Sequence, residues 1–172
     1  HDQPFDKETI IKTIETQRTV LQASSQMIQD TDLRPWLNNE RSNINWDHWD
    51  KYVSWLQKDE MRPNRVIAEL EASCDKILDA LGNPRLPGTI DRRGLVVGEI
   101  QSGKTQHYVG LINRAADVGY KHIIVLAGRT DALRSQTQVR LDKGFLGRKT
   151  NNLLVDDSSK KTGNYGVSNR ST

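Results

Sequence analysis

The residues with the clearest chemical meaning are Gly98-Glu99-Ile100-Gln101-Ser102-Gly103-Lys104-Thr105, which fit the phosphate-loop pattern G-x-x-x-x-G-K-[ST] at every fixed position. The residue types suit anion binding. Glycines let the backbone approach phosphate oxygens closely, and unpaired N–H groups at a helix start point at them. On this reading Gly98, Gln101, Ser102, Gly103, Lys104 and Thr105 hold ATP. Lys104 reaches the β- and γ-phosphates, the Thr105 hydroxyl ligates Mg²⁺, and these two residues are the catalytic candidates, acting by positioning and charge neutralisation. Glu99 inside the loop is expected to point outward. His107, just beyond it, is expected to be solvated or packed. Arg92 and Arg93 either touch the nucleotide base or flank the sheet, and the residues alone leave that open.

A second cluster runs from Ala127 to Arg140, AGRTDALRSQTQVR. Arg129, Thr130, Arg134 and Gln136, with Thr137, are residue types that hold a nucleic-acid phosphate backbone. The charge distribution supports this. The net charge of +3 conceals 11 Lys/Arg against 16 Asp/Glu in residues 1–91, and 14 against 6 in residues 92–172. The basic half carries the phosphate loop, as expected of a lobe that binds nucleotide and nucleic acid.

These residues must be positioned by elements whose periods are legible. Residues 5–29 predict a long helix with a narrow stripe of Ile10, Ile14, Leu21 and Ile28, a one-sided face able to dock a partner protein. A polar connection follows, with Trp36-Leu37 as its anchor. Residues 46–60 predict a second helix in which Trp46, Trp49, Val53 and Leu56 step by 3, 4 and 3, flanked by Tyr52 and Trp55. Tryptophans at this spacing are read as core anchors rather than a base-stacking cage. Residues 64–81 give the stripe Ile67, Leu70, Cys74, Ile77, Leu78 and Leu81, which makes Cys74 a buried and inert thiol. Gly82-Asn83-Pro84 stops that helix.

Residues 1–91 thus form a helical region, with residues 83–93 as its linker. Residues 92–157 are expected to begin an α/β fold: a RecA-like parallel sheet with flanking helices. Its first strand is 94–98, through Leu95-Val96-Val97. A helix over 103–118 turns Val109, Ile112, Ala115 and Ala116 inward and stops at Gly119. The second strand is Ile123 to Ala127, followed by an amphipathic helix over 131–143 through Leu133, Val139 and Leu141. Leu153-Leu154-Val155 offers a third, short strand. Asp156-Asp157 after it is a poor Walker B pair. Residues 158–172 read as a polar tail or loop.

The stretch RRGLVVGEIQSGKTQHYVGLINRAADVGYKHIIVLAGRTDALRSQTQVRLDKGFLG, about residues 92–147, resembles the Z-one domain family of superfamily two helicase-like ATPases. A weaker likeness extends through 46–91. Ile100 replaces the usual Val of the loop. The resemblance implies that Gly98, Gly103, Lys104 and Thr105 form Walker A. It also implies that Gly128, Arg129, Leu133 and Gln136 occupy the DNA-contacting motif Ia. Members belong to restriction-modification and phage-defence settings, and some are described as endonucleases.

The single cysteine excludes an intrachain disulfide and fits a reducing, cytoplasmic setting. No run approaches the roughly 18 apolar residues of a membrane span. The opening His1-Asp2 and the polar end predict a fragment. Two functions follow. One is the ATP-binding N-terminal portion of a helicase or translocase that hydrolyses ATP on nucleic acid, DNA favoured. The other is a nucleotide-sensing interaction module, docked through helix 5–29, without motor activity. A small-molecule kinase is weaker, because LRSQTQ resembles neither a lid nor an acceptor site.

Overall fold

The computed structural model describes residues 35–97, 103–150 and 166–168. The predicted helix 5–29, residues 98–102 of the phosphate loop, the run 153–155 and Asp156-Asp157 lie outside the described residues.

The helices form where the apolar stripes predict them. They are α1 (Leu37–Glu40), α2 (Asp47–Lys58), α3 (Asn64–Leu81), α4 (Lys104–Val118) and α5 (Asp131–Leu141). A 3₁₀ turn, Arg41–Asn43, follows α1, a π-turn, Asp142–Leu146, extends α5, and a second 3₁₀ turn spans Gly166–Ser168. Trp49, Tyr52 and Leu56 of α2, Ile67, Leu70 and Cys74 of α3, and Val109 of α4 bury one another in the main core. Leu37, Ile44, Leu78, Ala115 and Val118 bury a second cluster beside it. Gly82 and Gly119 end α3 and α4 at φ 93° and 110°, the left-handed region that glycine enters without strain. α4 lies close upon α2 and α3. A Cβ at Gly110 would stand 3.4 Å from the Trp49 ring and 3.5 Å from Leu70.

Polar contacts fix how these helices meet. Trp46, at the start of α2, offers no side-chain cap. The Asp117 carboxylate supplies one from α4, accepting from the His48 and Trp49 backbone N–H at 3.0 and 2.9 Å, and from His48 Nδ1 at 2.7 Å. Asp79 does the same for α1, accepting from the Trp36 and Leu37 N–H at 2.8 Å each. Arg114 of α4 is wholly buried. Its guanidinium lies 4.1 Å from the Trp46 ring centroid and 4.8 Å from that of Trp49, and it donates to Glu71 at 3.2 Å and to Asp75. Arg41 closes the cluster on the same two carboxylates at 2.5 and 2.7 Å. Two positive and two negative charges thus meet where three helices and the turn after α1 converge, and the hydrogen bond to Asp75 raises the Arg41 pKa.

The expected parallel sheet is not formed: no strand occurs among the described residues. Leu95-Val96-Val97 and Ile123 to Ala127 are irregular chain. Leu95 is 87% exposed and Leu126 is 93% exposed. The physical reason lies in α4. A parallel pair needs its crossover helix laid on the sheet to cover the apolar face. α4 has one apolar stripe, and Val109, Ile112 and Ala115 on it are buried among the helices, against α2 and α3 in the case of Val109. The two runs are left without a cover, and a pair of strands without one is marginal in water. α5 differs from expectation for a related reason. It buries none of its residues, and Leu133 and Val139 stay half exposed. Among the described residues no helix is long and apolar enough to cross a membrane.

Candidate nucleotide site

The first turn of α4, the face of α5 and the exit of α2 enclose a cavity of about 840 Å³. Its α4 wall is Gly103, Lys104, Thr105 and Gln106. Gly103 stands at φ 75°, a conformation that costs a side-chain-bearing residue about 1 kcal/mol, and it turns the chain directly into the helix. Four N–H groups at such a start have no intrahelical acceptor, so the cavity receives a helix end able to bind anions.

The α5 wall is Ser135, Gln136, Val139 and Arg140, with Lys143 from the π-turn. Gln136, Arg140 and Lys143 are spaced four and three residues apart and share a helix face. Arg140 Nη1 donates to the Thr105 hydroxyl, tying α5 to the phosphate-loop threonine. Lys143 is set by its neighbour Gly144. A Cβ there would come within 2.7 Å of Val109 and 3.2 Å of Tyr52, so only glycine allows this approach. The Gly144 carbonyl accepts from the buried Asn113 amide at 2.9 Å. Asp142, also buried, accepts from the Thr150 N–H at 2.9 Å and from Gln138 at 2.8 Å, which holds the turn from its other side. The third wall is Tyr52, Trp55, Leu56, Glu60 and Arg62.

The cavity collects Lys104, Arg140, Lys143 and Arg62 against one carboxylate, Glu60. That donor set fits a polyphosphate. Gln106 also lines the cavity, and its Nε2 is buried without a hydrogen-bond partner. The volume falls within the roughly 300–1,000 Å³ of small-molecule sites. For Mg²⁺, Thr105 supplies a hydroxyl that now accepts from Arg140. Among the described residues no group of three His, Cys, Asp or Glu stands ready to hold a metal ion. The ion would therefore depend on Thr105, phosphate oxygens and water, as Mg²⁺ at nucleotides commonly does.

The residues singled out from sequence divide as follows. Gly103, Lys104, Thr105 and Gln136 come together in the cavity. Gly98, Gln101 and Ser102 lie outside the described residues. Thr130 caps α5, its Oγ1 accepting from the Leu133 N–H at 3.3 Å. Arg134 pairs with Asp131 on the exposed start of α5, and Arg129 is exposed beside them. His107 faces away, with Nε2 2.8 Å from the Ser73 hydroxyl, and burial lowers its pKa. Cys74 is buried as expected, and burial pushes its thiol up to about 12. Arg140, Lys143 and Arg62 line the cavity and were not assigned to it from sequence, and Trp55, read there as a core anchor, packs against the main core and lines the cavity as well. The spacing Gln136, Arg140, Lys143 was the available signal for two of them. Comparison with protein-family models, with curated proteins and with solved structures finds no match to this chain.

Proposed function

We propose that this cavity binds ATP, with its phosphates on Gly103, Lys104 and Thr105 and with Mg²⁺ held at the Thr105 hydroxyl. The observation that carries the reading is the convergence of Lys104 and Thr105 with Arg140 and Lys143 around one cavity. Lys104, Arg140 and Lys143 supply charge that opposes the phosphate negative charge, and the α4 N–H groups orient the phosphates. Mg²⁺ would add charge neutralisation of the bridging oxygens. The wider reading follows the motif resemblance. The chain is the nucleotide-binding part of a cytoplasmic, helicase-like ATPase of the Z-one type that acts on DNA in restriction or phage defence. The exposed Arg129 and Arg134 at the start of α5 support a backbone-contacting role beside the nucleotide.

The test is ATP binding by calorimetry with Mg²⁺, wild type against Lys104→Ala. The variant should bind at least tenfold more weakly at unchanged thermal stability. Equal affinity in both would refute the assignment. The interaction-module alternative is favoured by the exposed apolar side chains of Leu95, Val97, Ile124 and Leu126. DNA-stimulated ATP hydrolysis that disappears with Lys104→Ala would decide against it.

A further inference from the structure

Trp46, at the N-cap position of α2, and Trp49 and Trp55 within it separate into two roles. Trp46 and Trp49 face Arg114. Trp55 instead lines the cavity, half-buried, and stacks on Tyr52 at 5.8 Å between ring centroids and 27° between planes. Tyr52 is fixed in turn, because its hydroxyl donates to the Gln106 carbonyl at 3.0 Å. The aromatic pair is therefore keyed to the first turn of α4, the segment that carries Lys104 and Thr105. Just beyond Trp55 the chain wraps tightly. The Glu60 N–H donates to the Trp55 carbonyl at 3.3 Å and the Arg62 N–H to the Leu56 carbonyl at 2.9 Å. Between them Met61 takes φ 51°, and it is the non-glycine residue of positive φ among the described residues. Met61 is 78% exposed, so no packing of its own side chain accounts for this strained conformation. The conformation brings the Glu60 and Arg62 side chains to the same cavity wall as Trp55.

We propose that Trp55 is the stacking platform for the base of the bound nucleotide, with Glu60 and Arg62 as the polar groups around it. This rests on the reading of Lys104 and Thr105 as the phosphate site. The cavity walls suit the two halves of such a ligand: cations and helix N–H groups from α4 and α5, and an aromatic ring with one carboxylate and one guanidinium from α2. A base stacked on an indole gains affinity that an inorganic polyphosphate cannot.

The experiment measures ATP and inorganic tripolyphosphate, each with Mg²⁺, against the full chain and against Trp55→Ala and Trp55→Phe. The full chain should bind ATP about tenfold more tightly than tripolyphosphate. Its tryptophan fluorescence should change with ATP and not with tripolyphosphate. Trp55→Ala should lose that tenfold preference while keeping its tripolyphosphate affinity. Trp55→Phe should keep most of the ATP affinity and lose the fluorescence change. Equal binding of ATP and tripolyphosphate by the full chain, or undiminished ATP binding by Trp55→Ala, would overturn the base platform and leave the phosphate site standing. Binding of neither ligand by the full chain would overturn both readings. Should Trp55→Ala fail to fold, the wild-type preference and the Trp55→Phe signal decide the matter alone.

Discussion

Replacing Arg114 with Ala should strongly destabilise the helical core. The guanidinium is fully buried, stacks on Trp46 and Trp49, and bonds Glu71 and Asp75. Truncation leaves both carboxylates facing Arg41 alone and opens a void between two indoles. Breaking a buried ion pair from one side costs about 3–5 kcal/mol, and a desolvated cation over an aromatic face contributes up to about 2 kcal/mol. The side chains of Glu71 and Asp75 keep 32% and 22% exposure, so water recovers part of the electrostatic loss. The expected net loss is about 3 kcal/mol. In urea titration followed by circular dichroism, with a slope near 2 kcal/mol/M, the midpoint should fall by about 1.5 M. A triple variant, Arg114→Met with Glu71→Gln and Asp75→Asn, removes charges on both sides and should recover at least half of the loss. ATP affinity should be little changed in the folded fraction, since Arg114 lies ten residues, about 15 Å, along α4 from Lys104. A loss below about 1 kcal/mol for Arg114→Ala would show that the cluster is not the tie between helices that its geometry indicates.

Gly144→Ala should destabilise by about 1–3 kcal/mol and weaken ATP binding as well, because the added methyl meets Val109 and Tyr52 and displaces the turn that carries Lys143. Thermal melting paired with calorimetry checks both effects. His107 should make stability depend on pH. Burial holds its folded pKa below the ordinary histidine value of 6.5, so the unfolded chain takes up the proton more readily. Stability from this group is flat above about pH 6.5 and declines as pH falls from there toward the folded pKa. His107→Gln should flatten that part of the curve between pH 7.5 and 5.5 relative to the wild type.

Helical periodicity located most of the bundle. The stripes through Trp49 and Leu56, through Ile67 to Leu78, and through Val109 to Ala115 all face the core, because a 3.6-residue repeat needs only one partner surface. Strands differ. Leu95-Val96-Val97 and Ile123 to Ala127 have the composition of buried strands, but a strand exists only where another chain segment completes its ladder and covers its faces. Which surface the single stripe of α4 would cover was not written in that stripe. Arg114 escaped notice for a similar reason: a charge mid-helix becomes a core residue only when Trp46, Trp49, Glu71 and Asp75 arrive from elsewhere. Lys104 and Thr105 could be singled out because their motif is local, and both line the cavity. Trp55 was not separable from Trp46 and Trp49, since all three fall in one helical pattern and only α4 and α5 determine which of them meets an opening.

The Asp117 carboxylate has a kinetic consequence. α2 begins without a cap of its own, and the group that satisfies its first N–H groups lies 68 and 69 residues away, near the end of α4. The first turn of α2 therefore cannot be secured until the chain has closed that long loop, and it should form late relative to the turns of α3. In the folded protein the same dependence works in reverse. The backbone amides of His48 and Trp49 should exchange with solvent only if α4 lifts away, so hydrogen exchange at these two amides is expected to report the opening of another helix.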